Sequence, residues 1–357
     1  MSEIPTADVV ALLGDIQDPE TGRKLKHAEQ LGEVSTGDGS INAMIKLTTH
    51  SAPLWDETRE QAEKLLREKF PDARMVNVHV EEHHRPAEKL GQIGITAKSV
   101  IAVGSGKGGV GKSTIAASLA LGLQRAGCKV GLMDADVYGP SIPHLLGVEG
   151  RPEIVENRIQ PIVKNGLPVM SIGFLVPKND AVIWRGPMLH QTVTQFLRDV
   201  AWGDLDYLVI DMPPGTGDVA LTLSQLLPVT GAVVVCTPQH VALLDAVKAI
   251  AMFGKVNIPV AGMVENMSGF ICPDCDKRYD IFGSGGAKRT AEELKIPFLG
   301  DVPLHMSIRA DGDAGDAGAV FDDGATRPYF EKICYQLVKN ISQQAQDAPP
   351  LPSLNVL

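Results

Sequence analysis

The eight residues Gly106-Lys107-Gly108-Gly109-Val110-Gly111-Lys112-Ser113, followed by Thr114, fit the spacing G-x-x-x-x-G-K-[ST]. That spacing makes a phosphate cradle. Glycines let the chain curl tightly enough to aim successive backbone N–H groups at phosphate oxygens. A helix starting at the end of the loop adds positive charge there. Lys112 is placed to neutralise the β- and γ-phosphates of a nucleotide, and the Ser113 hydroxyl to ligate magnesium. A glycine-rich turn could match by chance, but the motif also has the required context. "SVIAVGSGKGG" reads as an apolar strand running into the loop, and "STIAASLALGLQRAG" as a helix that stops at Gly127.

Carboxylates follow at the ends of two further apolar runs. "LMDADVYGPS" places Asp134 and Asp136, and "LVIDMPPGTGD" places Asp211 before a Pro-Pro-Gly turn. Ligands of open parallel sheets bind outside the carboxyl ends of strands, so these groups are expected to converge on the loop. Asp211 suits the outer magnesium shell and Asp136 the orientation of an attacking water. Alone, a strand-end aspartate is as readily a cap or turn former. The loop is what raises these above that.

Cys272 and Cys275, in "GFICPDCDKRYDIFG", form the only closely spaced cysteine pair among five cysteines. Two thiolates do not complete the four-ligand shell of zinc or of an iron–sulfur cluster. A redox pair would sit at the start of a helix after the first strand of its fold, whereas this one follows "VENMSGFI" in a loop. A zinc knuckle needs two more ligands at short spacing; His240 and His305 are the distant options. If two copies of the chain meet about a two-fold axis, their pairs supply four thiolates, which suits a [4Fe–4S] cluster and also zinc. Cys128, Cys236 and Cys334 fall in apolar contexts and read as buried thiols.

The elements that must position these groups are legible as patterns. "KVGLMDAD", "DYLVIDMPP", "GAVVVCTPQ" and "PVAGMVENM" are continuous apolar strands separated by helical stretches, which predicts a mostly parallel sheet covered by helices on both faces. Residues 1–85 read as a small α+β domain: a helix in "ADVVALLGDI", a turn at Asp18-Pro19-Glu20-Thr21-Gly22, a strand in "SINAMIKLTT", a helix in "WDETREQAEKLLREKF" and a strand in "MVNVHVEE". Residues 86–98, with Pro86, Gly91 and Gly94, read as a linker. The nucleotide domain is expected over 99–345, with a loose tail over 346–357.

The chain has 357 residues, a net charge of -10 and 44% hydrophobic residues, enough for a large core. The acidic balance argues against a sequence-independent grip on nucleic acid. No basic segment followed by an apolar stretch opens the sequence and no run of 18 apolar residues occurs, so neither a signal peptide nor a membrane span is expected. A cytoplasmic location is expected.

Lys107, the additional lysine of the loop, resembles the deviant phosphate loops of the cell-division, plasmid-partition and nitrogenase-iron-protein class. That resemblance implies an ATP-dependent homodimer in which Lys107 reaches the partner's nucleotide and stabilises charge in trans. It also puts Asn266, in "VENMS", at the position that reads adenine. Seven motifs in order, "GSGKGGVGKST", "DADVYGPSIPHLLG", "WRGPM", "DMPPGTGD", "VENMSGFICPDC", "IFGSGGA" and "DVPLHMSIRADGD", resemble the Mrp/NBP35 family of iron–sulfur cluster carrier ATPases. The resemblance implies slow ATP hydrolysis with Mg2+, and a transferable cluster, [4Fe–4S], bound between the Cys272 and Cys275 pairs of two subunits. Implied partners are a cluster donor or scaffold and recipient apoproteins, without nucleic acid or membrane. "DPETG" and "LGEVSTGDGSINAMIKLTT" resemble a MIP18-like domain, although "HSAPLW" carries Ala52-Pro53 where that domain often has Cys-Pro. The reading from another class is a ParA/MinD-like positioning switch with a structural zinc site. The C-terminus has too little basic charge for the membrane-binding helix of division-site members.

Overall fold

Ile41, Ala43, Ile45 and Leu47 alternate with less buried residues, and in the computed structural model all four lie in the core below one face of a strand. The structure describes residues 4–176, 186–215, 217–272, 274–275 and 277–347. The chain divides into two units, one from residues up to Arg85 and from Val338 onward, the other Pro86–Leu337.

The first unit contains α1 (Thr6–Gly14), β1 (Leu31–Gly37), β2 (Ser40–Leu47), α2 (Trp55–Lys69) and β3 (Met75–Glu82). β1 pairs antiparallel with β2, and β2 parallel with β3 through the α2 crossover. Val9 and Leu13 of α1, Ala62 and Leu66 of α2, and Val76 and Val78 of β3 complete the core. β1 was not anticipated, because it is an edge strand with no buried residue and so no strong period-two apolar signal. Ala52 is buried in the short 3-10 turn Thr49–Leu54, so the position that could have carried a cysteine offers no thiol. The Asp18-to-Gly22 turn is held by Asp18, which accepts the Thr21 amide at 3.1 Å and the Gln30 side chain at 3.0 Å.

The second unit opens with β4 (Lys89–Leu90), β5 (Ile95–Gly104), α3 (Lys112–Arg125), β6 (Val130–Asp134) and α4 (Ile142–Leu145). Short strands β7 (Ile154–Val155), β8 (Arg158–Ile159) and β9 (Ile162–Lys164) lead to β10 (Leu167–Ser171), α5 (Gly186–Asp199), β11 (Leu205–Asp211) and α6 (Gly217–Leu226). Then come β12 (Gly231–Cys236), α7 (His240–Lys255), β13 (Val260–Ile271), β14 (Arg278–Tyr279), α8 (Gly286–Leu294), β15 (Phe298–Leu304), α9 (Met306–Asp313) and α10 (Arg327–Asp347), whose residues from Val338 on belong to the first unit. The sheet runs β14-β13-β12-β5-β11-β6-β10-β9, with β15 on β13 and β4 on β5. All pairings among β15, β13, β12, β5, β11, β6 and β10 are parallel. β6, β11 and β12 are buried along their whole length, as continuous apolar strands sandwiched by helices must be.

Two expectations need correction. Residues 86–98 are not a plain linker: β4 turns back antiparallel onto β5, and Ala97 already pairs with Leu205 of β11. Gly91 and Gly94, which suggested a linker, are the left-handed residues of that turn, at φ +60° and +71°. Residues 346 and 347, expected in a loose tail, belong to α10, while 348–357 lie outside the described residues. Trp184 and Arg185 of "WRGPM" also lie outside them. Among the described residues no helix is long and apolar enough to cross a membrane.

Candidate nucleotide site and cysteine hairpin

The phosphate loop connects the carboxyl end of β5 to the first turn of α3. Gly109 and Gly111 are left-handed, at φ +78° and +80°, so glycine serves a conformational need there. At Gly106 the need is proximity: a Cβ would lie 2.2 Å from backbone atoms of Asp245 in α7. Lys112 and Ser113 open α3, with Thr114 in the same turn, so the helix N-terminus points into the loop. Gly108 is exposed, Val110 is buried, and Lys107 is half-buried; among the described residues the Lys107 ammonium has no ion pair.

One row across the sheet gathers the polar groups. Ser171 of β10, Asp134 of β6 and Asp211 of β11 stand side by side in register, with Val103 of β5 next to them. Asp134 Oδ2 accepts from Ser171 Oγ at 2.9 Å and from the Ile142 amide at 3.3 Å, while Oδ1 accepts from the Asp136 amide at 3.0 Å. Lys112 Nζ lies 2.5 Å from Asp211 Oδ1 and 3.4 Å from Asp136 Oδ2. The loops beyond the strands are tied together as well: Met212 N donates to Val103 O, and Gly215 N to Ser105 O at 3.1 Å.

Burial with Asp211 alongside pushes the Asp134 carboxyl up to about 8. Burial also raises Asp211, opposed by Lys112 and by the Ser113 hydroxyl, which hydrogen-bonds to it. At neutral pH a protonated Asp134 leaves Asp136, Asp211 and one lysine in the pocket. Asp211 Oδ2 is buried and has no hydrogen-bond partner among the described residues. A buried carboxylate oxygen without a donor, beside the Ser113 hydroxyl, suits a hard cation with oxygen ligands, so the residues fit magnesium.

Asp136 sits in the following turn, its Oδ1 accepting from the Tyr138 and Gly139 amides at 3.2 Å and 3.3 Å. Asn266 is pressed against the loop: its Nδ2 donates to Val110 O at 2.9 Å. The next strand residue inward, Glu265, is fully buried. It accepts from the Gly285 and Ala287 amides at 2.7 Å and 2.6 Å, filling the N-terminus of α8 with its carboxylate. Ser268 Oγ donates to the same Glu265 at 2.7 Å.

β13 continues from Asn266 to Ile271, and Cys272 and Cys275 lie in the hairpin between β13 and β14. Pro273 and Asp276 are outside the described residues. Cys272 N donates to Lys277 O at 3.0 Å and closes the hairpin. Cys275 is exposed and Cys272 half-exposed. Among the described residues no group of three or more His, Cys, Asp and Glu is disposed to hold a metal ion. His305 instead caps α9, accepting from the Ser307 amide at 3.4 Å.

The structure thus brings Gly106 to Thr114, Asp136, Asp211 and Asn266 to one pocket at the carboxyl ends of the strands, and sets Cys272 and Cys275 on a hairpin leaving the strand that carries Asn266. Sequence reasoning missed Ser171, Glu265 and Ser268. The signal for the first two was a lone polar residue at the end or middle of an apolar strand, which must have a partner if buried.

Residues 96–341 match the family description NUBPL iron-transfer P-loop NTPase, and residues 6–80 that of an iron–sulfur cluster assembly protein. The iron–sulfur cluster carrier protein of Synechocystis is 43% identical over 356 residues, spanning 96% of this chain and 99% of the relative. The iron–sulfur cluster carrier protein of Escherichia coli K12 is 44% identical over 347 residues, spanning 95% and 92%. Among solved structures, a nucleotide-binding protein of Archaeoglobus fulgidus in complex with ADP aligns at 42% identity and a TM-score of 0.56, covering 62% of this chain and 88% of that one. The cell division ATPase MinD of Pyrococcus furiosus, at 21% identity and a TM-score of 0.50 over 68% of this chain and 99% of that one, shares the fold. With its family match running over most of its length, the chain belongs to the NUBPL iron-transfer P-loop NTPases, a nucleotide-hydrolysing family, and carries an iron–sulfur assembly domain before the nucleotide domain.

Proposed function

We propose that this protein is an ATP-dependent iron–sulfur cluster carrier. Two copies hold a [4Fe–4S] cluster as cargo between their Cys272 and Cys275 thiolates and pass it to recipient apoproteins in the cytoplasm. The observation that carries this reading is the placement of both thiols on a hairpin that extends the strand whose Asn266 bonds the phosphate loop. One copy presents two thiols there, and a two-fold pair presents four, the number a cubane cluster takes. The exposed Tyr138, Val241 and Leu244 follow the carboxyl ends of β6 and β12 on the nucleotide side, which supports pairing through that face.

In the nucleotide pocket the loop amides and the start of α3 receive the β- and γ-phosphates, and Lys112 transfers its contact from Asp211 to phosphate. Ser113 and Asp211 would hold magnesium, which supplies charge neutralisation on the phosphate oxygens when bound. Asp136 orients the water that attacks the γ-phosphorus, and ADP leaves. Lys107, with no ion pair of its own among the described residues, extends to the partner's γ-phosphate. Asn266 also reads the adenine ring. ATP biases cluster retention by as much as it binds the two arrangements of the dimer differently.

The test is anaerobic reconstitution with iron and sulfide, with iron, sulfide and native mass measured together on wild type and Cys275→Ala. About four irons per dimer, lost in the variant, is the expected result. Cysteine-independent iron, or zinc retained with no iron uptake, would overturn the reading and return the structural-zinc alternative.

A further inference from the structure

A strand that touches a nucleotide loop at one residue and carries cargo ligands six residues later can transmit a state only if its intervening backbone is held in place. β13 is not regular over that stretch. Met267 is left-handed at φ +58° and Gly269 at +70°, and the register with β15 breaks between Asn266 and Phe270. For methionine this conformation is strained, so surrounding contacts must impose it.

One side chain supplies those contacts from the far side of the cysteine hairpin. Arg278, the first residue of β14, donates through NH2 to Ser268 O at 3.1 Å and lies 3.4 Å from Ser268 Oγ. Its Nε faces Asp280 Oδ1 at 3.4 Å. The guanidinium packs against Gly269, where a Cβ would lie 2.5 Å from Nε. Ser268 in turn donates to the buried Glu265, and the neighbouring Asn266 holds Val110 of the phosphate loop. Gly111 closes the circuit: a Cβ there would lie 2.1 Å from Asn266 Nδ2.

We propose that Arg278 is a positioning residue that couples the nucleotide loop to the cysteine hairpin, acting through Ser268 and the Glu265–Asn266 corner. The inference rests on the functional reading above for what the hairpin carries. Movement of Val110 on nucleotide binding shifts Asn266 and the left-handed Met267-to-Gly269 segment. Arg278, bonded to the middle of that segment and one residue beyond the hairpin's closing bond, carries the shift to Cys275. Without the guanidinium the hairpin still closes through Cys272 N and Lys277 O, but the two ends of β13 move independently.

The experiment uses the full-length, cluster-free protein, and reads the alkylation rate of Cys275 by peptide mapping, with and without a magnesium complex of a non-hydrolysable ATP analogue. The wild-type rate is expected to change about five-fold or more on nucleotide binding, the usual scale of coupling between sites. Arg278→Ala and Ser268→Ala are expected to bring the two rates within about two-fold of each other while nucleotide affinity stays near wild type. Arg278→Lys, which keeps one donor for Ser268 O, is expected to restore part of the difference. A purely structural role would alter both rates together and leave their ratio intact. An undiminished ratio in Arg278→Ala and Ser268→Ala, or a wild-type ratio of one, overturns the proposal. Iron uptake by wild type separates this from the wider reading. Failed uptake with an intact alkylation ratio sinks the cargo assignment alone; normal uptake with a ratio indifferent to Arg278 sinks the coupling alone.

Discussion

Asp134 and Asp211 stand directly opposite one another in adjacent parallel strands, and a single ammonium, Lys112, serves both Asp211 and Asp136. Three carboxylates around one lysine in a buried pocket cannot all ionise without cost, and the protein relieves this by keeping a proton on Asp134. The charge left over suits a divalent cation arriving with the nucleotide.

That proton gives the nucleotide-free protein a defined pH dependence. The folded Asp134 carboxyl titrates at about 8, against 3.8 in an unperturbed chain. Between those values the folded state holds a proton that the unfolded state has released, so stability falls as pH rises through the window and levels off above it. Asp211, shifted in the same direction, adds to the slope. Melting temperatures, without nucleotide or metal, are expected to decline from pH 5 to about 8 and to level off toward pH 9, and Asp134→Asn to flatten the decline. A wild-type melting temperature that rises through this range would refute the assignment.

Lys112 is itself buried between the two carboxylates, so removing it has two effects. Lys112→Met is expected to abolish nucleotide binding, read by calorimetry. It also leaves Asp211 buried without its cation, a loss on the order of 3 kcal/mol wherever the carboxylate is ionised. Lowering the pH from 8 to 5 moves Asp211 toward the protonated form that its burial favours, and so shrinks that loss. Equal destabilisation at the two pH values would contradict the pairing.

How much of this was readable in advance depended on contiguity. The loop from Gly106 to Ser113 is continuous in sequence, so its function and its strand–helix setting were both legible. Asp136 and Asp211 were legible as positions, being strand-end acids after apolar runs. The charge state of Asp134 was not, because it is set first by burial under the sheet's covering helices and then by Asp211, 77 positions on, through a strand order that no local pattern encodes. Ser171 and Glu265 were hidden for the same reason: each looks like an isolated polar residue until its partner strand or helix is in place. Residues 86–98 misled because Gly91 and Gly94 serve a hairpin turn with the same composition as a linker.

The five cysteines should separate cleanly by reactivity. Burial pushes the Cys236 and Cys334 thiols up to about 12, with Glu265 adding to the effect on Cys236 and Glu331 on Cys334, and Cys128 is buried too. Cys275 is exposed on the hairpin. Alkylation of the cluster-free protein at pH 8 is expected to label Cys275 first and Cys272 after it, with the other three labelled only after denaturation. Early labelling of Cys236 under native conditions would show that β12 is not packed as described.

Gly111 meets two separate demands, and a double substitution can tell them apart. Its φ of +80° disfavours any side chain, at a cost of about 1 kcal/mol. Its contact with Asn266 leaves no room for a Cβ, which would approach Nδ2 to 2.1 Å. Gly111→Ala therefore combines backbone strain with a clash that pushes Asn266 off Val110. Asn266→Ala removes the clash and the Val110 bond but leaves the strain. In the double variant Gly111→Ala with Asn266→Ala, the loss in melting temperature is expected to be smaller than the sum of the two single losses, because the clash is counted only once the asparagine is present. Nucleotide affinity should follow the same order, lowest in Gly111→Ala alone. Strict additivity would mean that the loop and β13 do not touch through this pair, and the link from phosphate loop to cysteine hairpin would lose its first contact.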